Sequence, residues 1–144
     1  MRLTSFSDYA LRVLMFTHAA GGRLVTIEEM AEAYEISRAH LRKVVNTLTR
    51  SGYLTAVRGR SGGIKLAMPP EGIVLGAVVR ATEPDFALVD CFSVDDQCVI
   101  TKCCKLQGVL DEALQAFFEV LDRQTLASIA LRPKDFRTYL ELAE

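Results

Sequence analysis

At 144 residues, half of them hydrophobic, the chain suits one domain or a small domain with an appendage, and a disordered polypeptide is excluded. No apolar run approaches the roughly 18 residues that span a bilayer, and none follows Met1-Arg2-Leu3-Thr4-Ser5, so the reading is cytoplasmic, with no membrane partner and with reduced thiols. The net charge of −1 hides a division, since residues 1–70 carry ten Lys/Arg against five Asp/Glu and residues 71–144 carry seven against thirteen, as expected of a nucleic-acid-facing head on a different body.

Ser5-Phe6-Ser7-Asp8 has capping-box form, and Ala10, Leu11, Val13, Leu14 and Met15 keep a helical apolar face until Gly21-Gly22 end it. Thr26-Ile27-Glu28-Glu29 is a second capping box, opening a short helix through Ala33. Ser37 then caps a third helix that stops at Gly52. In that helix Leu41, Val44, Val45 and Leu48 recur at i, i+3, i+4 and i+7, one stripe to bury. Ala39, Arg42, Lys43, Asn46 and Arg50 project on the other side. A short helix, a turn and a helix with a cationic outer face make a helix-turn-helix, in which Arg38, Ala39, His40, Arg42, Lys43 and Asn46 would enter the major groove of double-stranded promoter DNA.

Two strands follow, Tyr53 to Val57 and Ile64 to Ala67, joined by Arg58-Gly59-Arg60-Ser61-Gly62-Gly63. This hairpin with a cationic, glycine-rich tip is a wing, and Arg58 and Arg60 are its candidate contacts to the DNA backbone or minor groove. The tip lacks the Gly-Lys-Ser/Thr ending of a P-loop. Pro69-Pro70 marks the end of the head, a modest helix runs from Ile73 to Glu83, and Pro84 closes it.

All four cysteines, Cys91, Cys98, Cys103 and Cys104, lie in the loop from Asp85 to about Lys105. Beyond it Leu106, Val109, Leu110, Ala113, Leu114, Phe117, Phe118 and Leu121 form a stripe over four turns. That is more apolar face than the head can cover, so the expected partner is the same helix of a second subunit, in a two-fold homodimer. The expected fold is mostly α with a small β-hairpin. Its parts are a winged helix-turn-helix head (1–70), a linker helix and cluster loop (71–104), a dimerisation helix (105–130) and a C-terminal tail (131–144).

Thiolates are soft ligands that select zinc, copper(I) or iron–sulfur centres. Zinc sites favour tight C-x2–4-C pairs completed by further Cys or His; here the spacings are Cys91-x6-Cys98 and then x4 to Cys103 or x5 to Cys104, and the two histidines, His18 and His40, are in the head. Wider spacings suit a larger iron–sulfur cube, whose irons take one ligand each. A metal-free thiol switch and buried small hydrophobes stay open beside it. No Gly-x-Ser-x-Gly, His-Glu-x-x-His or Cys/His pairing offers a catalytic site, so the chain is not read as an enzyme.

Cys98-Val99-Ile100-Thr101-Lys102-Cys103-Cys104-Lys105-Leu106 resembles the cluster-binding segment of the nitric-oxide-sensing branch of the Rrf-two family of winged-helix regulators. The likeness continues through Met1-Arg2-Leu3-Thr4, Ser7-Asp8-Tyr9-Ala10-Leu11-Arg12, His40-Leu41-Arg42-Lys43-Val44-Val45, Gly62-Gly63 and Val78-Val79-Arg80-Ala81-Thr82-Glu83. The resemblance implies a homodimeric repressor with one iron–sulfur cluster per subunit, 4Fe–4S with 2Fe–2S as the alternative, released from palindromic DNA when nitric oxide modifies the cluster. It implies Cys91, Cys98 and Cys104 as ligands, with Cys103 at a position that is usually a small non-ligand and Lys102 replacing a common proline. It also implies Asp8 of the partner subunit as the fourth ligand, against its reading as a helix cap. The family's cluster-biogenesis branch has a histidine three residues after the last cysteine. Here that position is Gln107.

Overall fold

The computed structural model describes residues 2–93 and 98–140, and within that range the side chains of Pro133, Arg137 and Tyr139 are not described. Met1, the 94–97 stretch of the cysteine loop and the last four residues of the expected C-terminal tail lie outside the described residues. The elements are α1 (Ser5–Ala19), α2 (Ile27–Tyr34), α3 (Arg38–Arg50), β1 (Leu54–Val57), β2 (Gly63–Leu66), α4 (Leu75–Thr82), α5 (Lys105–Asp122), α6 (Leu126–Ile129) and α7 (Pro133–Tyr139). The mostly helical chain with one antiparallel hairpin is the fold class expected.

Each helix of the head begins where a short side chain can accept from an unpaired amide. Ser37 accepts from the His40 N–H at 3.3 Å, and Thr26 and Glu29 cap each other's backbone reciprocally, at 3.2 and 2.7 Å. The first helix departs from expectation. Its cap is Thr4, extended at φ −64° and ψ 156°, whose hydroxyl accepts from Ser7 N–H at 3.4 Å. The cap therefore sits one residue before Ser5, and Asp8 falls outside the box. Its carboxylate turns instead to Arg12, one turn along the helix, at 2.9 Å.

α1, α2 and α3 pack around one core in which Val13, Leu14, Met30, Leu41, Val44 and Leu48 are fully buried. The wing closes onto it through Ile64, whose backbone bonds both ways with Val25, at 2.8 and 3.0 Å. β1 and β2 pair Leu54 with Leu66 through Val57 with Gly63. The tip turns at Gly59, φ 117°, and a Cβ on Gly62 would overlap the Val57 carbonyl.

The core does not stop at Pro69-Pro70. Ile73 is fully buried, and Leu75 and Leu126 donate to the carbonyls of Gln124 and Ile73 at 3.0 and 2.8 Å, so the 73–75 segment lies along 124–126. α4 starts at Leu75, two residues later than the sequence pattern indicates, because Ile73 and Val74 are extended in this pairing. The stretch read as one helix over 105–130 is helical to Asp122 and resumes as α6 after Thr125 caps it. The tail holds α7, whose buried Phe136 meets Phe16 of α1 edge-on at 5.7 Å.

α5 leans on α4 at its C-terminal end. Phe118 sits edge-on to Phe86 at 4.7 Å, while Arg80 lies 4.1 Å over the Phe118 ring and forks onto Asp122 at 2.6 and 2.8 Å. Among the described residues of α5 only Phe118 is buried, and Leu106, Val109 and Val120 are 59, 60 and 51% exposed. Covering such a side chain is worth roughly 1.5–3 kcal/mol. No described helix is long and apolar enough to cross a membrane.

Candidate nucleic-acid interface and metal centre

α3 divides cleanly between core and solvent. Leu41, Val44, Val45 and Leu48 are 0–5% exposed, and Arg38, Ala39, His40, Arg42, Lys43, Asn46 and Arg50 all face outward. The exposed set therefore lies on one side of a helix held from behind by α1 and α2. Its first turn holds no carboxylate, and the His40 ring is 6.4 Å from Tyr9 of α1. Arg58 and Arg60 stand exposed at the wing tip.

The ion pairs sharpen this division. Arg12, Arg23, Arg80 and Arg132 each hold a carboxylate within 4.0 Å. Among the described residues Arg38, Arg42, Lys43, Arg58 and Arg60 hold none. A cation left in water on a surface with few acids keeps its full charge for a polyanion.

The described parts of the cysteine loop are tight turns. Half-buried Cys91 occupies the turn Asp90–Phe92, and its carbonyl accepts from Gln107 Nε2, one turn into α5, at 3.3 Å. Exposed Cys98 opens a second set, where its carbonyl accepts from Thr101 Oγ1 at 3.0 Å. Exposed Cys103 donates its S–H to the Ile100 carbonyl at 3.3 Å, and half-buried Cys104 is the N-cap of α5. None of the four forms a disulfide. An open cavity of about 910 Å³ runs between the loop and α5, with Cys91, Phe92, Gln107 and Asp111 on its walls.

The donor set fits an iron–sulfur cluster: thiols alone, spread over several turns, with two of them flanking the start of one helix. A helix N-terminus also favours a bound anion. Among the described residues no three His, Cys, Asp or Glu side chains gather as metal ligands. Within one chain, then, Asp8 is not brought into a group with the cysteines. It is half-exposed and clasped by Arg12, whose guanidinium lies 5.8 Å from the Tyr34 ring centre. The Tyr34 hydroxyl donates to the Arg12 carbonyl at 3.1 Å, and burial pushes its pKa up to about 12 against the opposing pull of Arg12.

Two features of the site are not legible in the sequence pattern. Gln107 tethers Cys91 from 16 positions away. Glu83 and Thr82, at the mouth of the cysteine loop, reach back to the start of α1: Glu83 Oε1 accepts from Thr4 N–H at 2.8 Å and Thr4 Oγ1 at 3.0 Å, and Thr82 Oγ1 meets Ser7 Oγ at 2.8 Å. The Thr-Glu-Pro sequence marks a helix end. It does not say what that end touches.

Residues 3–132 match the Rrf2 family model, described as an iron-dependent transcriptional regulator. The chain is similar to the HTH-type transcriptional regulator NsrR of Bacillus subtilis (strain 168), 46% identical with all of both chains covered. Its structure is similar to that of oxidised CymR from Staphylococcus aureus, with a TM-score of 0.71, 23% identity, and 90 and 96% of the two chains covered. It also resembles the IscR of T. potens, with a TM-score of 0.68, 25% identity, and 90 and 85% covered.

Proposed function

The chain belongs to the Rrf2 family of transcriptional regulators, which are not enzymes, and from that premise we propose that it is a nitric-oxide-sensitive repressor carrying an iron–sulfur cluster. The observation that carries the DNA half is the set of exposed, unpaired cations shared by α3 and the wing. Arg38, Ala39, His40, Arg42, Lys43 and Asn46 occupy the major groove, and Arg58 and Arg60 meet the backbone or minor groove beside it. The apolar face of α5, with Leu106, Val109 and Val120 in water, supports a second copy as its cover. A two-fold dimer then calls for a palindromic operator.

Cys91, Cys98 and Cys104 would hold one cluster per subunit, a 4Fe–4S cluster with 2Fe–2S as the alternative. When bound, the cluster supplies irons that take up nitric oxide. Gln107 keeps Cys91 beside the start of α5, and Cys104 places its thiol at that helix end. Asp8 of the partner subunit is the proposed fourth ligand, and Arg12 is the cation that receives its carboxylate when it is not ligating. The name of the relative in Bacillus subtilis and the run Cys98 to Leu106 support nitric oxide as the signal. The place of work is the cytoplasm.

The test is anaerobic purification followed by native mass spectrometry and a gel shift on promoter fragments, with and without nitric oxide. The expected result is a coloured dimer with two clusters that leaves its DNA on exposure. A colourless protein whose DNA binding responds to thiol oxidation would move the reading to a metal-free thiol switch, which the exposed Cys103 favours as second choice. Coloured protein indifferent to nitric oxide but responsive to cluster loss would move it to a cluster-status regulator.

A further inference from the structure

We propose that Glu83, assisted by Thr82, is the positioning residue through which the cysteine loop sets the reader helix. The inference rests on the functional reading above and adds the route by which the loop reaches the DNA face within one subunit.

The loop leaves α4 at Glu83, and Pro84 removes any helical continuation. One carboxylate oxygen of Glu83 holds both the N–H and the hydroxyl of Thr4, 79 positions away. Thr4 is the cap of α1, and the same hydroxyl that donates to Glu83 accepts from Ser7 N–H. One residue earlier, Thr82 Oγ1 bonds the carbonyl of Val78 at 2.9 Å and Ser7 Oγ at 2.8 Å. With the Thr82 proton on Val78, the Ser7 hydroxyl is the donor to Thr82. Ser7 is fully buried and Thr82 is 8% exposed, so no water replaces that bond cheaply.

The end of α4 and the start of α1 are thus stitched at three points. Glu83 forms no ion pair among the described residues, which leaves its charge to strengthen the two bonds to Thr4. Beyond the stitch α1 packs directly on α3, and it carries Asp8 one residue after Ser7. On the loop side Asp85 accepts from Ala87 N–H at 2.9 Å, and Phe86 packs on Phe118. A displacement of the loop therefore pulls on Thr4, then on α1, then on the back of α3. A pure stability role would change how much protein folds. It would not change how strongly cluster loss is felt at the DNA.

The test compares Glu83→Ala, Glu83→Gln and Thr82→Val with the natural chain on two readouts. In cluster-free protein, amide exchange at Ser7 and Asp8 should rise on the order of tenfold in Glu83→Ala and return towards normal in Glu83→Gln, which keeps an accepting oxygen. The ratio of DNA affinities between cluster-loaded and cluster-free protein should fall about fivefold or more in Glu83→Ala and Thr82→Val, and recover in Glu83→Gln. If Glu83→Ala fails to load a cluster, Thr82→Val decides on the same two readouts. Unchanged exchange, or a ratio held within about twofold in variants that fold and load, overturns the inference alone. A ratio near one in the natural chain overturns the functional reading and the inference with it.

Discussion

Removing the wing arginines should flatten the salt dependence of DNA binding by a calculable amount. Each phosphate neutralised contributes about 0.9 to the slope of log affinity against log salt. The five unpaired cations assigned to the DNA, Arg38, Arg42, Lys43, Arg58 and Arg60, give ten charges and a slope of about −9 for a dimer. Arg58→Ala removes two charges per dimer and should reduce the slope by about 1.8, and so should Arg60→Ala. Between 50 and 200 mM salt, each variant should then lose about twelvefold less affinity than the natural protein loses. The assay is fluorescence anisotropy on specific and scrambled duplexes over that range. Both duplexes should weaken alike at low salt, because phosphate contacts carry no sequence information. An unchanged slope with an altered base preference would refute the argument and place these arginines on base edges.

The cysteines should separate in visible absorbance and iron content: Cys91→Ala, Cys98→Ala and Cys104→Ala each lose the cluster, while Cys103→Ala keeps it. A colourless Cys103→Ala beside a coloured Cys104→Ala reverses the third ligand. Asp8→Ala should cost only ~0.3–0.5 kcal/mol in urea melts, since it removes a half-exposed i,i+4 pair, yet it should lower DNA affinity or blunt the nitric-oxide response of a protein that still holds its cluster. Wild-type behaviour in both assays leaves Asp8 as a surface partner of Arg12. Leu48→Ala should destabilise the fold by about 2–5 kcal/mol by calorimetry or urea, whereas Asn46→Ala, on the exposed face of the same helix, should leave the melt in place and weaken specific binding by about 1–3 kcal/mol. Val109→Glu alters a side chain already 60% exposed, so it should leave the monomer fold intact; sedimentation should show monomer in place of dimer, and a stable dimer would remove α5 from the interface.

How far each element was legible depends on how far its determinants lie apart in the chain. The buried stripe of α3, the reciprocal cap of Thr26 and Glu29 and the glycine-rich wing are written within a few neighbouring positions, and each stands in the structure where the pattern placed it. Those local rules also placed the outward cations, because a helix that buries Leu41, Val44, Val45 and Leu48 has no choice about where Arg42, Lys43 and Asn46 point. The start of α1 was misplaced by one residue for the opposite reason. Ser5 and Thr4 both offer a capping hydroxyl by local chemistry, and it is Glu83, from the far end of α4, that holds Thr4 in the capping position, while Thr82 holds Ser7 beside it. The break between α5 and α6 depends likewise on Thr125 lying against Val74, and the helix within the expected tail depends on Phe136 reaching Phe16. The cysteine loop shows both limits together. Its sequence names the donor atoms and their chemistry, but that Gln107, in the first turn of α5, holds the Cys91 backbone from 16 positions away belongs to the tertiary structure. Pairings across tens of residues carry no period or spacing of their own. They form only when burying apolar surface outweighs the entropy of closing the intervening chain.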